Sequence, residues 1–311
     1  MTSEKTIFTA TAEFDGKTYT DTKEIDGRDY FIGNSLTLNG DIGVNFFVEL
    51  TEEEAAKATV SFEWFDKTLG EDQVELAPCG TNTYKVTCPV AVAEMTYEIT
   101  ATLKIDGETV DTDIYSAVEY ANKILSNEYA QTYDGDVPYE TLKELVQSML
   151  DYGTRAQIRF DRDTENLANG GNYFFNNGVS IDSNASDMTA NLDKYGLTYV
   201  GSTVIYLSKT ALRHCYKVTD PTLFAKVSES ITMDGSPIQY GERGGMIYFE
   251  VPEIAAYELD VQHTLTIGTN SYSYSATDYF SKLVASTQND NAKELAKAAY
   301  RYNLKAKAYF G

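Results

Sequence analysis

Histidine, cysteine and tryptophan are scarce in this chain. Its 311 residues include two histidines, three cysteines and one tryptophan. Three cysteines are too few for a disulfide scaffold, and a bond between Cys79 and Cys88, which flank a turn signal, would require a close approach of their Cβ atoms. The redox compartment stays open. With His214 and His263 as the whole supply of imidazole, a His-dependent triad or a zinc site is not expected.

The chain also lacks positive charge, long apolar runs and nucleotide-binding motifs. It has 25 Lys and Arg residues against 47 Asp and Glu residues, a net charge of −22. Such a surface repels nucleic-acid phosphates and anionic lipid. No apolar run reaches 18 residues, so no membrane insertion is expected, and glycine-rich phosphate loops and a Gly-x-Ser-x-Gly elbow are absent. We predict no nucleic-acid partner and no enzyme activity.

Carboxylates are so plentiful that no pair stands out as the acid and base of a glycosidase. Glu63 and Glu250 fall on predicted strands, where a solvated strand face explains each of them. The acidic segments 161–166 and 182–187 suit Ca²⁺ better than zinc. However, 161–166 lacks the glycine and the final glutamate of an EF-hand loop. We therefore predict no catalytic residue, no metal ligand and no cofactor, with Ca²⁺ as the alternative.

An internal repeat is the clearest feature that the chain does have. Residues 115–123, YSAVEYANK, return at 274–282 as YSATDYFSK, an offset of 159 residues. Further on, the segment from Lys143 to Phe160 returns between Lys293 and Phe310, at an offset of 150. Two matches in the same order indicate two copies of one structural unit.

Each copy begins with short strand patterns and ends with helical periodicity. In the first copy, alternating apolar segments at 35–38 and 42–48 flank Asn39-Gly40-Asp41, which predicts a hairpin. Beyond residue 114, apolar residues recur at steps of three and four, which predicts helices. The second copy repeats this order, with helices near 276–286 and 291–309. We predict a mainly β, α+β fold: two tandem antiparallel β-sandwich modules, each closed by a C-terminal pair of α-helices.

Four segments follow from this pattern. Residues 1–29 form an N-terminal β-hairpin that completes a sheet, although its likeness to residues 100–109 also fits the remnant of a preceding module. Residues 30–160 form the first module, 161–195 an Asn/Asp/Gly-rich connector, and 196–311 the second module. A connector of this length is expected to pack in part against a domain.

The repeated segments resemble a known family. SLTL at 35–38, GVNFF at 43–47, MTYEITA at 95–101, YSAVEYA at 115–121 and LKELVQSMLDYG at 142–153 are similar to a module of secreted and surface proteins of gut and rumen Firmicutes. The resemblance covers about 30–160 and 195–311. Such modules accompany leucine-rich repeats, dockerins and glycan-active domains, so the resemblance implies a secreted or cell-surface protein of a cellulosome- or amylosome-like setting. A secretory signal is then expected to have been removed.

The repeat also separates the aromatic residues into two groups. Those with an aromatic in both copies, such as Tyr152 and Tyr302, are interpreted as packing residues. Sugars present flat apolar faces, which proteins bind with exposed rings and orienting polar groups. The candidate carbohydrate-binding residues are therefore the unmatched aromatics Trp64, Tyr173, Tyr199, Tyr240 and Tyr272. Trp64 shares a strand face with Phe62, which favours burial instead.

We thus predict a non-catalytic extracellular carbohydrate-binding protein, for a plant glucan of the starch or cellulose type. Its expected partner is a polysaccharide or oligosaccharide. The alternative is a structural or adhesive cell-surface spacer that binds other surface proteins or extends a neighbouring domain. One exposed platform of unmatched aromatics favours the first function, and scattered or buried ones favour the second.

Overall fold

The computed structural model of the chain describes residues 5–14, 17–26, 28–38, 42–172, 179–206 and 210–311. Over these residues the protein is mostly β, with seven α-helices and four antiparallel four-stranded sheets. The α+β class predicted from the sequence is confirmed, and the sheets are sandwich-like. The turn predicted at 39–41 lies outside the described residues.

Eighteen strands are present in the described residues. Their bounds are β1 (Lys5–Phe14), β2 (Lys17–Asp26), β3 (Phe31–Thr37), β4 (Gly43–Glu49), β5 (Ala58–Trp64), β6 (Lys67–Leu69), β7 (Ala77–Gly80), β8 (Thr83–Pro89), β9 (Ile99–Ile105), β10 (Glu108–Tyr115), β11 (Leu197–Tyr206), β12 (Thr210–Val218), β13 (Thr232–Met233), β14 (Ser236–Pro237), β15 (Gly241–Arg243), β16 (Met246–Val251), β17 (His263–Ile267) and β18 (Asn270–Tyr274). The helices are α1 (Glu52–Ala55), α2 (Ala117–Ile124), α3 (Asn127–Thr132), α4 (Tyr139–Phe160), α5 (Pro221–Ala225), α6 (Ala276–Ser286) and α7 (Asp290–Phe310).

The strand order of the sheets repeats between the two copies. The first copy forms β3-β4-β8-β7 and β10-β9-β5-β6, and the second forms β11-β12-β16-β15 and β18-β17-β13-β14. Each strand of one copy therefore has a counterpart at the same sheet position in the other. Strands β1 and β2 pair with each other in a separate two-stranded sheet.

Two strands begin later than the sequence pattern indicates. Apolar alternation predicts strands over 95–105 and 257–267, but β9 begins at Ile99 and β17 at His263. A 3₁₀ turn precedes each of them, at Val92–Glu94 and at Ala256–Glu258. The residues that follow each turn bury apolar side chains such as Met95 and Leu259, which resembles the start of a strand in the sequence pattern.

The chain divides by its internal contacts into two compact units. Unit one comprises Met1–Ser35, Asn45–Cys88 and Glu98–Tyr115, and unit two comprises Leu36–Val44, Pro89–Tyr97 and Ser116–Gly311. In unit one, the ring of Phe46 on β4 lies 5.5 Å from that of Phe62 on β5, and both are fully buried. Residues of two sheets thus share one core, and each such side chain contributes roughly 1.5–3 kcal/mol by leaving water.

Unit two contains the C-terminal helices of both copies. The buried stripe of α4 follows the three- and four-residue steps expected of an amphipathic helix, from Leu142 through Leu145 and Met149 to Tyr152. The helices α4 and α7 are equivalent in the repeat and pack against each other. The ring of Tyr152 stacks on that of Tyr302, its own repeat counterpart, at 5.7 Å.

Ion pairs across α4 and α7 show the symmetry of this contact. Arg155 pairs with Glu294 at 3.6 Å, and Lys305 pairs with Glu144 at 2.7 Å. Glu144 and Glu294 are repeat counterparts, as are Arg155 and Lys305. An exchange of equivalent partners is the mark of a two-fold interface, here within a single chain.

All three cysteines lie in the described residues and are free thiols. Cys79 falls at an irregularity in the β7–β8 pairing, where Pro78 lies opposite Tyr84 and Gly80 opposite Thr83. Cys88 is therefore about four residues further along β8, roughly 13 Å at strand spacing. That separation is beyond the ~7 Å Cα limit of a disulfide.

Candidate functional site

The structure separates the unmatched aromatics by burial. Trp64 is 7% exposed in the core of unit one, because it follows Val60 and Phe62 on the inward face of β5. Tyr272 is 2% exposed, and its hydroxyl donates a hydrogen bond of 2.6 Å to the carbonyl oxygen of Ala190. Neither ring has a free face for a ligand.

The other three have different surroundings. Tyr240 is 37% exposed and packs edge-on against Phe224 at 5.4 Å. Tyr173 lies outside the described residues. Tyr199 is half-buried and lines a cavity. Among the described members of the set, Tyr199 is the one that a pocket brings together with other polar groups.

The cavity at Tyr199 has a volume of about 360 Å³ and belongs to unit two. Its walls include Ser183 and residues 185–189 of the connector, the ring of Tyr199 on β11, Tyr274 on β18, and Ser281 and Lys282 on α6. Five of its lining residues carry serine or threonine hydroxyls or the Lys282 ammonium group. We call this cavity the hydroxyl pocket.

A hydrogen-bond chain fixes the ring of Tyr199. Its hydroxyl lies 2.6 Å from Oγ of Ser202, which in turn lies 2.7 Å from Nδ1 of His214. The β11–β12 register places Ser202 opposite His214, and a bulge between Tyr199 and Gly201 re-aims the tyrosine. Because His214 is fully buried, its pKa falls to about 4, and the imidazole is neutral at pH 7.

Asp278 fastens the connector to the start of α6. Its Oδ1 accepts hydrogen bonds from the Ser183 hydroxyl at 2.8 Å and from the Asn184 backbone N–H at 2.7 Å. Its Oδ2 accepts from the Gln262 amide and from the Ser275 cap. Burial raises the pKa of Asp278, but the hydrogen bonds from Gln262, Ser275 and Ser183 outweigh burial and lower it. The carboxylate is thus ionised, and both of its oxygens are occupied in holding the wall.

Charged groups stand at the rim of the hydroxyl pocket. The Lys282 ammonium lies 5.9 Å from the centre of the Tyr199 ring. Asp187 accepts from the hydroxyl and the backbone N–H of Thr189, and these bonds lower its pKa. A cation, a carboxylate, several hydroxyls and a fixed ring therefore surround one cavity. That set can orient a polyhydroxylated ligand by hydrogen bonds while the ring contacts its apolar face.

A second cavity contains tyrosines that the sequence reasoning did not single out. It has a volume of about 460 Å³ and is lined by Tyr129, Thr132, Tyr133, Asp134, Gly135, Asp136, Val137 and Tyr309, all of unit two. We call it the tyrosine pocket. Its α3–α4 loop lies in the stretch where the repeat offset drops from 159 to 150 residues, which means an insertion in the first copy. That drop was the signal that could have identified Tyr129 and Tyr133.

Two further polar residues considered from the sequence, His263 and Glu250, have structural partners. His263 Nδ1 lies 2.8 Å from an Asp234 carboxylate oxygen, and Glu250 is paired with Arg213. Within the part of the chain that the structure describes, no three His, Cys, Asp or Glu side chains cluster so as to hold a metal ion. In the same residues, no helix combines the length and the apolar character that crossing a membrane requires.

Comparisons with known proteins returned no relative: no family model, curated protein or solved structure matches this chain. The two pockets and the repeat are therefore the features that bear on its function.

Proposed function

We propose that this protein is a secreted or cell-surface carbohydrate-binding protein that holds a plant glucan, of the starch or cellulose type, without cleaving it. The observation that carries the proposal is the Tyr199 ring, fixed through Ser202 at the wall of a cavity rich in hydroxyls. The resemblance of the repeated segments to a module of glycan-associated surface proteins supports the same conclusion.

The size and chemistry of the hydroxyl pocket suit a short stretch of sugar chain. At about 360 Å³, the cavity is at the lower end of the ~300–1,000 Å³ range of small-ligand sites. A pyranose can place one apolar face on Tyr199 and exchange hydrogen bonds with Asp187, Lys282 and the serine hydroxyls. Asp278 is saturated by protein donors, which supports a structural role for it over acid catalysis.

We further propose that the molecule consists of two tandem β-sandwich modules, each closed by its helix pair. The matching strand orders of the two copies and the contact between Phe46 and Phe62 support this arrangement. In this view the shared residues build the scaffold twice. The hydroxyl pocket combines shared residues such as Tyr274 and Lys282 with Tyr199 and the connector, where the copies differ.

Retention on insoluble starch and cellulose, with reducing-sugar release measured in parallel, tests the proposal. We expect retention of the wild-type protein on one of the two polymers and no release of reducing ends. Lys282→Ala, at the exposed rim, should weaken retention, whereas the matched exposed-lysine variant Lys226→Ala should not. Absence of retention on both polymers would contradict the proposal.

A second function, that of a structural spacer binding other surface proteins, is favoured by one observation. Trp64 and Tyr272 are buried, so the unmatched aromatics do not build one exposed platform. The spacer function predicts a stable protein without retention on any glucan, and the same experiment therefore separates the two functions.

A further inference from the structure

The tyrosine pocket is a preorganised arrangement of rings. The ring of Tyr133 lies 6.0 Å from that of Tyr129 and 5.7 Å from that of Tyr139. Backbone carbonyls hold two of these hydroxyls: Tyr133 donates to Val137 at 2.9 Å and Tyr139 to Ile124 at 2.9 Å. The rings therefore keep their positions without a ligand.

Gly135 shows how tightly the loop is folded over this cluster. A Cβ atom at residue 135 would lie 2.3 Å from the hydroxyl oxygen of Tyr133 and 2.5 Å from its Cζ. No other residue type allows the backbone to lie so close to the ring. The close approach places Asp134 and Asp136, the neighbours of Gly135, beside the aromatic cluster.

The charge of the tyrosine pocket has one sign. Asp134 and Asp136 are exposed, and none of the eight lining residues is Lys, Arg or His. Burial, contact with Tyr309 and Tyr129, and the nearby Asp136 carboxylate raise the pKa of Tyr133 to about 12. Of these causes, the negative charge of Asp136 is the one that also favours a bound cation.

We propose that the tyrosine pocket binds an alkylammonium group. Aromatic faces attract ammonium groups through the ring quadrupole, most strongly where the cation has little hydration to lose. Tyr129, Tyr133 and Tyr309 supply the faces, and Asp134 and Asp136 supply the compensating charge. The cavity, about 460 Å³, has room for a methylated head and for part of its alkyl stem. The ammonium group comes from a small quaternary amine or from a lysine side chain of a peptide.

Calorimetric titrations of the full chain test this site. The probes are choline, its neutral isostere 3,3-dimethylbutanol, and a short peptide with lysine either unmodified or trimethylated. We expect saturable binding of choline or of a lysine peptide, and at least about tenfold weaker binding of the neutral isostere. Binding of choline alone identifies a small amine as the source, and binding of a peptide identifies a lysine side chain.

Two variants test whether the ammonium probe binds in the tyrosine pocket. The double variant Asp134→Asn/Asp136→Asn should weaken ammonium binding about tenfold, and Tyr309→Leu should weaken it severalfold at similar apolar volume. Asp66→Asn, an exposed aspartate of unit one, is the charge control and should bind as the wild type does. Circular dichroism of each variant verifies that it is folded.

Four results would overturn the proposal. Three of them are equal binding of choline and its neutral isostere, no binding of any ammonium probe, and binding that the Asp134→Asn/Asp136→Asn variant retains in full. The fourth is displacement of bound choline by a neutral glucan oligosaccharide, because the tyrosine pocket would then be a saccharide site. The glucan proposal is tested independently, since it depends on Tyr199 and Lys282.

Discussion

Buried polar residues of unit two differ in charge state and in what they position. His214 is neutral and positions Tyr199 through Ser202, whereas Asp278 is ionised and holds the connector. Both are buried, and neither is free to titrate near neutral pH. The carboxyl group of Asp151 on α4, by contrast, does titrate near neutral pH.

Asp151 is 2% exposed, and burial raises its pKa to about 6, although Arg155 and Arg301 pull it down and Glu294 adds to the rise. In the unfolded chain an aspartate has a pKa of about 3.9. The folded state therefore binds the proton more tightly, and stability falls as pH rises from about 4 to about 6. Above pH 6 the ionised carboxylate costs the folded state on the order of 3 kcal/mol.

The Asp151→Asn variant should lose the fall in unfolding free energy that the wild type shows as pH rises from about 4 to about 6. Urea unfolding at several pH values between 4 and 7.5 measures it, with Asp290→Asn on the exposed first turn of α7 as the control. We expect a flatter stability profile for Asp151→Asn than for the wild type. An identical slope in both proteins would show that Asp151 does not titrate in this range.

The elements show which structural features a local pattern can predict. Helices α6 and α7 begin and end within one residue of the predicted 276–286 and 291–309, because capping residues Ser275 and Asn289 and the apolar stripe are local signals. Strand alternation is also a local signal, and it correctly favours burial of Trp64 on the face of β5 that carries Phe62. The absence of a counterpart for Trp64 in the second copy reports only a difference between the copies.

Equivalent helix starts provide a matched pair of variants. Ser116 and Glu119 form the capping box of α2, and Ser275 and Asp278 form that of α6. Asp278 additionally binds the connector at Ser183 and Asn184. Asp278→Asn should therefore cost about 2–3 kcal/mol of unfolding free energy, and Glu119→Gln about 1 kcal/mol.

Thermal unfolding and hydrogen exchange distinguish the two variants. Asp278→Asn should accelerate amide exchange in residues 183–186, since the Asn184 N–H loses its charged acceptor. Glu119→Gln should leave exchange in that segment unchanged. Equal destabilisation by the two substitutions would refute the connector's dependence on Asp278.

At the scale of the whole molecule, the sequence predicts repetition but not the contact between the copies' helices. The offsets of 159 and 150 residues reveal two copies of one unit and an insertion within the first copy. They do not reveal that Tyr152 would stack on its counterpart Tyr302, or that Tyr309 would reach the loop containing Tyr133. Such contacts join distant residues, and no local periodicity carries information about them.

The two-fold contact of α4 and α7 predicts coupling between equivalent tyrosines. Tyr152→Leu and Tyr302→Leu should each destabilise the protein, and the double variant should cost less than the sum of the two, by about 1 kcal/mol. The mutant cycle is measured by urea unfolding. The control is a double-mutant cycle of Tyr152 with Tyr240, whose ring packs against Phe224 and not against Tyr152. In that cycle the losses of unfolding free energy should be additive. Full additivity in the first cycle would contradict a direct ring interaction.

The central claim is that the hydroxyl pocket holds a glucan through the ring of Tyr199. Calorimetric titration of the folded protein with maltohexaose and with cellohexaose tests it most directly, for the wild type, Tyr199→Ala and Tyr240→Ala. We predict saturable binding of one of the two oligosaccharides by the wild type and by Tyr240→Ala, and binding weaker by about tenfold, roughly 1.4 kcal/mol, in Tyr199→Ala. Absence of binding by the wild type, or equal affinity in Tyr199→Ala, would contradict the claim.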